Sequence, residues 1–244
     1  MIVDVNVSIE GADGAPVDPE QLIAEAKAKG LDALVLSSSV ELDADLKPYT
    51  SAAEASDVRV FCGAQVRTNF GIILCVLPDG STLAPDFAER DGEVYDADSV
   101  VDAIEEANGV TIALRPYDRD VDRPMGDHLF SLQGLGACEA LNGGVAEIAN
   151  DLALEAATNL EMPLVGGSNA RGLHGLGTVA TVIKGAVADQ EALCEALRDG
   201  ACWPVAFSDA APNLREQRSG RGGRSSEGGS RGKRRRSRGG GGRG

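Results

Sequence analysis

Apolar positions along the chain fall into short runs that alternate with helical stripes. Residues 2–7 form a β-prone run. A helix follows over 19–29, which Asp18 can cap, Pro19 can start and Gly30 can end. Leu22, Ile23, Ala26 and Leu31 supply its apolar stripe. Residues 31–36 are apolar, too short for a helix, and read as a buried strand. Strands follow over 58–66 and 72–77, with Pro78-Asp79-Gly80 as a turn. Residues 98–108 are helical, with Val101, Ile104 and Ala107 in phase and Gly109 as the stop. Two strands, 110–114 and 137–141, precede a helix over 144–159, a strand over 163–165 and a last helix over 189–198 ended by Gly200. Short apolar strands between amphipathic helices predict an α/β fold with a mainly parallel sheet, closed into a barrel or doubly wound. Ligands in such folds sit at the carboxyl ends of the strands. After about residue 212 the pattern stops and Gly, Arg and Ser dominate. A folded domain over 1–212 and a disordered basic tail over 213–244 are therefore expected.

Composition sharpens this division. Apolar residues make up 43% of the 244 and aromatics only 4%, so the core is expected to be built from Ala, Val, Leu and Ile. No apolar run is long enough to span a membrane, and the N-terminus does not read as a signal peptide. Five widely spaced cysteines without a C-x-x-C pair suggest free thiols in a reducing cytoplasm rather than a metal site. The net charge of −15 conceals two opposed parts. Residues 213–244 hold 11 Lys or Arg against 2 Glu, a charge of +9, which leaves −24 on residues 1–212. So acidic a body does not attract nucleic acid by general electrostatics, whereas the tail does. Only four lysines lie in the body, Lys27, Lys29, Lys47 and Lys184, a surface that also suits a high-salt cytoplasm.

Short motifs stand in order at the predicted strand ends. They are Asp4-Val5-Asn6-Val7-Ser8, Ser37-Ser38-Ser39, Gly63-Ala64-Gln65, Arg115-Pro116, Glu139-Ala140-Leu141-Asn142 and Gly167-Ser168-Asn169-Ala170-Arg171, the last followed by residues 175–178. With the helix and turn over 19–33, this series resembles the polymerase-and-histidinol-phosphatase (PHP) family across roughly residues 1–205. The resemblance implies a distorted (β/α)7 barrel of mainly parallel strands. In that family, His, Asp and Glu at the strand ends hold a small metal cluster that activates water against a phosphoester. Here Asn6 and Ser8 stand in the family's Asp-x-His-x-His, and Ser38 and Ser39 in its Thr-Asp-His. Gln65 stands in Gly-x-Glu, Arg115 in the His-Pro pair, and Asn169 and Arg171 in Gly-Ser-Asp-x-His. Asp4 and Glu139 keep the family's residue types. Amides and hydroxyls are poor ligands for a divalent ion, guanidinium is none, and two arginines at one pocket repel cations.

These departures imply a degenerate pocket of Asp4, Asn6, Ser8, Ser38, Ser39, Gln65, Arg115, Glu139, Asn169 and Arg171, with no metal and no cofactor. Two readings of it stay open. Arg115 and Arg171 could hold a phosphate or carboxylate ligand. Alternatively they could pair with Asp4 and Glu139 and fill the vacated site with internal salt bridges. His174 reads as a plain loop histidine rather than a displaced ligand, and the alternating Asp118, Asp120 and Asp122 as a solvated loop rather than a calcium site. In the tail, Arg221, Arg224, Arg231, Lys233, Arg234, Arg235, Arg236, Arg238 and Arg243 sit among glycines in RGG-type spacing. Such segments bind single-stranded nucleic acid by phosphate neutralisation and guanidinium stacking. The expected function is a non-catalytic, RNA-associated accessory or scaffold subunit, with RNA on the tail and protein partners on the acidic body. PHP-like barrels among the protein subunits of ribonuclease P are its analogy. The alternatives are a metal-dependent phosphoesterase with an atypical site on Asp4, Glu139 and His174, and a sensor of anions or nucleotides.

Overall fold

The computed structural model describes residues 1–11, 13–39 and 45–207. The chain divides into two units, Met1–Ala211 and Pro212–Gly244, and the described residues all lie in the first. The tail cations named above lie outside them.

The chain enters through β1 (Ile2–Ser8), α1 (Pro19–Ala28), β2 (Ala33–Ser39) and α2 (Lys47–Glu54). The middle comprises β3 (Arg59–Thr68), β4 (Gly71–Val76), the small hairpin β5 (Arg90–Asp91) and β6 (Val94–Tyr95), α3 (Ala97–Glu106) and β7 (Val110–Leu114). It closes with β8 (Ala137–Asn142), α4 (Glu147–Asn159), β9 (Leu164–Gly167), β10 (Ala170–Arg171), β11 (Val179–Ile183), α5 (Gln190–Arg198) and β12 (Cys202–Ala206). The main sheet runs β12-β11-β1-β2-β3-β4-β7-β8-β9. Followed pair by pair, only β4 and β11 run against the other seven strands of this path. The result is an almost closed, mostly parallel barrel-like sheet.

Closure is made by side chains where the ladder is missing. The Thr181 hydroxyl donates to the carbonyl of Gly166 and accepts from its N–H, both at 2.8 Å, stitching β11 to β9. A Cβ on Gly166 would come 2.9 Å from Pro204 of β12, so glycine allows the seam to shut. Inside the barrel, Val3, Val5, Ala33, Val35, Phe61, Leu74, Val110, Ile112, Ala137 and Val165 form one apolar cluster. α1 covers the outer face of β1 and β2 with Leu22, Ile23 and Ala26, and α3 covers its own patch with Val100, Val101 and Ile104.

Three differences from the sequence reading have local causes. The second strand starts at Ala33, because the Leu31 N–H still closes α1 onto the Ala26 carbonyl, and it continues through the serines, which pair with Gly63, Ala64 and Gln65. α4 starts at Glu147 rather than at residue 144, where the Gly144 N–H is held by Asn142 Oδ1. α2, β11 and β12 were not foreseen. α2 buries only Tyr49 and Ala53, β11 carries the polar Thr181 at its centre, and β12 contains Pro204. Among the described residues no helix is long and apolar enough to cross a membrane.

Candidate functional site

Two bulges build the site. Asp4 pairs with Leu34 but Val7 with Leu36, so β1 carries one extra residue between them. Glu139 pairs with Val165 but Leu141 with Gly166, so β8 carries another. A bulge bends its strand and re-aims a side chain. Asn6, inside the first bulge, and Glu139, beside the second, meet above the apolar interior: Asn6 Nδ2 donates to Glu139 Oε1 at 2.9 Å. Gly167 permits the approach, since a Cβ there would lie 2.6 Å from Asn6 Cβ and 2.9 Å from Glu139 Oε1. The network continues through Gln65, whose Nε2 donates to Asn6 Oδ1 at 3.2 Å and to Ser37 Oγ at 2.8 Å.

Both carboxylates are wholly buried and fully engaged. Glu139 Oε2 accepts the Arg115 main-chain N–H at 3.0 Å. Asp4 Oδ1 accepts from the Ser168 N–H at 2.9 Å and the Asn6 N–H at 3.4 Å, and its Oδ2 from the Gly177 N–H at 3.1 Å. Burial pushes the Glu139 carboxyl up to about 7 and that of Asp4 up to about 6, against the opposing pull of these hydrogen bonds.

Above this floor opens a cavity of about 290 Å³. Of the ten residues expected at the pocket, Asn6, Ser8, Ser38, Ser39, Gln65, Arg115, Asn169 and Arg171 line it, while Asp4 and Glu139 lie beneath. The lining also includes Arg67, Ser37, Ile9 and Glu10. Arg67 was legible in principle: Phe61, Gly63, Gln65 and Arg67 alternate along one face of β3. Ser37 follows Val35 by the same rule in β2. A larger cavity of about 610 Å³ adjoins this one and shares Ser38 and Ser39. Among the described residues, its charged lining is Lys47, Asp45 and Asp79, with no arginine.

The expected salt bridges between the arginines and the floor do not form. Arg115 Nη1 lies 3.5 Å from Asp118 Oδ2, its Nε is buried without a hydrogen-bond partner among the described residues, and neither Asp4 nor Glu139 is in an ion pair there. The cause is the backbone. Arg115 has φ 45°, a left-handed conformation that turns its N–H toward Glu139 and its side chain toward the mouth. For a bulky residue this stores roughly 1–2 kcal/mol of strain. Asn169 shares the conformation at φ 54°, which asparagine tolerates better. Asp118 is buried, so this end of the 118–122 loop is not solvated as expected. His174 is exposed and lies outside the cavity lining.

A metal cluster of the kind the sequence resemblance implies does not fit these residues. Both surviving carboxylates have their oxygens occupied by N–H donors, and apart from Ile9 and a single carboxylate, Glu10, the described lining is hydroxyl, amide and guanidinium. Among the described residues no group of three His, Cys, Asp or Glu side chains could hold an ion.

The PHP-associated family model matches residues 147–202. No curated protein matches the chain. Among solved structures, PsfC from Pseudomonas syringae PB-5123 superposes with a TM-score of 0.67 at 17% identity, over 89% of this chain and 96% of PsfC. A protein of Bifidobacterium adolescentis assigned as a metal-dependent phosphoesterase gives 0.58 at 15% identity, over 80% of this chain and 95% of that one. An amidohydrolase from Chromobacterium violaceum, solved with sulfate and no metal, gives 0.51 at 12% identity, over 70% and 87%. The chain thus matches the PHP-associated model in its C-terminal part and shares its barrel fold with the Bifidobacterium protein.

Proposed function

We propose that this chain is a non-catalytic member of the PHP family and that its barrel mouth binds a phosphate-type anion in place of a metal cluster. The observation that carries the reading is the convergence of Arg67, Arg115 and Arg171 on one cavity, above two carboxylates whose oxygens are already taken. Guanidinium forks bind tetrahedral oxyanions well, and Ser38, Gln65 and Asn169 can complete the shell. Among the described residues the lining offers one carboxylate, Glu10, and no imidazole, too few ligands to hold the metal ion that hydrolysis of the family's kind needs. The test is calorimetric titration with inorganic phosphate. Binding at millimolar concentration or tighter is expected, weakened at least about tenfold in Arg67→Gln, because a hydrogen bond to a charged group contributes about 1.5–3 kcal/mol. No binding by the wild-type protein would overturn the reading.

A second element of the proposal is RNA association through the tail, favoured by the +9 charge of residues 213–244 against −24 on the rest. In this reading the barrel is the folded, partner-facing part of an RNA-associated accessory subunit, with RNA held electrostatically outside it. A reducing, cytoplasmic setting suits its cysteines, four of which are buried with thiols that desolvation pushes upward.

A further inference from the structure

The chain of amides at the floor of the mouth is a hydrogen-bond relay with a definite direction. Ser37 Oγ and Asn6 Oδ1 accept from Gln65 Nε2, and Asn6 Nδ2 donates to Glu139 Oε1. Glu139 Oε2 accepts from a main-chain N–H, which cannot be reversed. A proton that Glu139 takes up on Oε1, the oxygen that faces Asn6, meets an N–H donor. The clash is relieved if Asn6 turns its amide over, so that Oδ1 accepts from Glu139 and Nδ2 points at Gln65. Gln65 must then turn over as well, with Oε1 accepting from Asn6 and from the rotated Ser37 hydroxyl. Its Nε2 is released from both inner bonds on a residue that lines the cavity.

We propose that Glu139, Asn6 and Gln65 form a proton-operated switch of the anion site. One proton on Glu139 reverses both amides, supplies a donor to the mouth and removes a negative charge from beneath its arginines. This inference rests on the anion-binding reading above and adds its regulation. Both consequences favour an anion, so affinity rises as pH falls, and by linkage the bound anion draws a proton onto Glu139. Burial of the carboxyl places its titration near neutrality.

The charged neighbours do not offer the same response. From β1, Asp4 is also buried; besides three fixed main-chain N–H donors it is hydrogen-bonded by the Ser168 hydroxyl, which can rotate, but Ser168 is itself buried and does not line the cavity, so that rotation supplies no donor to the mouth. Glu10, from just beyond β1, lies in the cavity lining. Arg67 from β3, Arg115 after β7 and Arg171 from β10 line the cavity. Asp118 faces the Arg115 guanidinium. Cys138, on the same strand as Glu139, is a thiol pushed up to about 12 by burial and then by the Glu139 charge, so it stays neutral. Packed against β8, α4 buries only Ala149, Ala153, Ala156 and Ala157.

Glu139→Gln mimics the protonated state, because its oxygen can accept from Arg115 while its NH₂ donates to a reversed Asn6. The experiment titrates sulfate, which does not itself change charge here, into wild-type protein, Glu139→Gln and the loop variant His174→Gln, from about pH 5.5 to about pH 8.5. Wild type and His174→Gln are expected to bind about tenfold more tightly at the acid end, a usual size for coupling between linked sites. Glu139→Gln is expected to bind tightly, with only the smaller residual pH dependence that Asp4 leaves near pH 6. Sulfate binding by wild type near pH 7 should also take up protons, read from the dependence of the heat on buffer ionisation, which tests the switch even if Glu139→Gln fails to fold. Sulfate binding that is independent of pH, or unaccompanied by proton uptake, or equally pH-dependent in Glu139→Gln, overturns the switch and leaves the anion site standing. No sulfate binding at any pH overturns both.

Discussion

Glu139 is met by the main chain of Arg115, 3.0 Å from Oε2, while the guanidinium of the same residue turns to Asp118 at 3.5 Å. One residue thus satisfies the buried carboxylate with a neutral donor and leaves its charge near the mouth. Had the guanidinium neutralised Glu139 directly, the cavity would have lost one of its three cations. The left-handed backbone of Arg115 is what separates the two tasks.

Asn6 joins the two bulged strands, so its removal should be felt in stability. Asn6→Ala removes the buried donor to Glu139 Oε1, while the part-buried Gln65 Nε2 keeps Ser37 Oγ. A buried acceptor left short costs about 1–3 kcal/mol, so urea denaturation is expected to show a loss of that size. A loss under about 0.5 kcal/mol would mean the network carries little of the fold.

Gly167 should tolerate no side chain. In Gly167→Ala the new Cβ meets Asn6 Cβ at 2.6 Å and Glu139 Oε1 at 2.9 Å, both held by their own bonds. Overpacking of this kind costs about 1–3 kcal/mol, which a lowered thermal midpoint would register.

Stability should also fall as pH rises from acid toward neutral. Asp4 goes from 3.8 to about 6 and Glu139 from 4.5 to about 7, both raised chiefly by burial. The folded protein therefore holds more protons than the unfolded chain between these values. The contribution is fully present below about pH 4 and is lost as pH rises through about 7, with an upper bound of roughly 3 kcal/mol for each group. Denaturant midpoints at about pH 5 and pH 8 check the sign. Glu139→Gln should flatten the slope, and an unchanged slope would assign it to other groups.

The tail predicts a salt-dependent partner. Full-length protein should bind single-stranded RNA with an affinity that falls steeply with salt, and a chain ending at residue 212 should lose that binding. Fluorescence anisotropy on both proteins decides it. Equal binding by the truncated chain would move the RNA contact to the acidic body.

Much of this was legible in the sequence, and what was not has physical reasons. Alternating apolar strands and capped helices announced the α/β sheet, and the strand-end motifs located Asn6, Gln65, Arg115, Asn169 and Arg171, which the fold brings to one cavity. Pleat alternation could have supplied Ser37 and Arg67. The bulges at Asn6 and after Glu139 could not be foreseen, because an extra residue in one strand leaves no mark in its own composition. Nor could the lack of an ion pair between Arg115 and the floor, since it goes with the positive φ of Arg115 and arginine gives no local signal for that conformation.

The most direct test of the account is the metal content of the purified full-length protein, measured by mass spectrometry alongside phosphodiesterase turnover with added Mn²⁺ and Zn²⁺. A site without ligands predicts substoichiometric metal and no hydrolysis above background. Two or three tightly held ions, with hydrolysis that a chelator abolishes, would contradict it and make Asp4 and Glu139 part of a working metal centre.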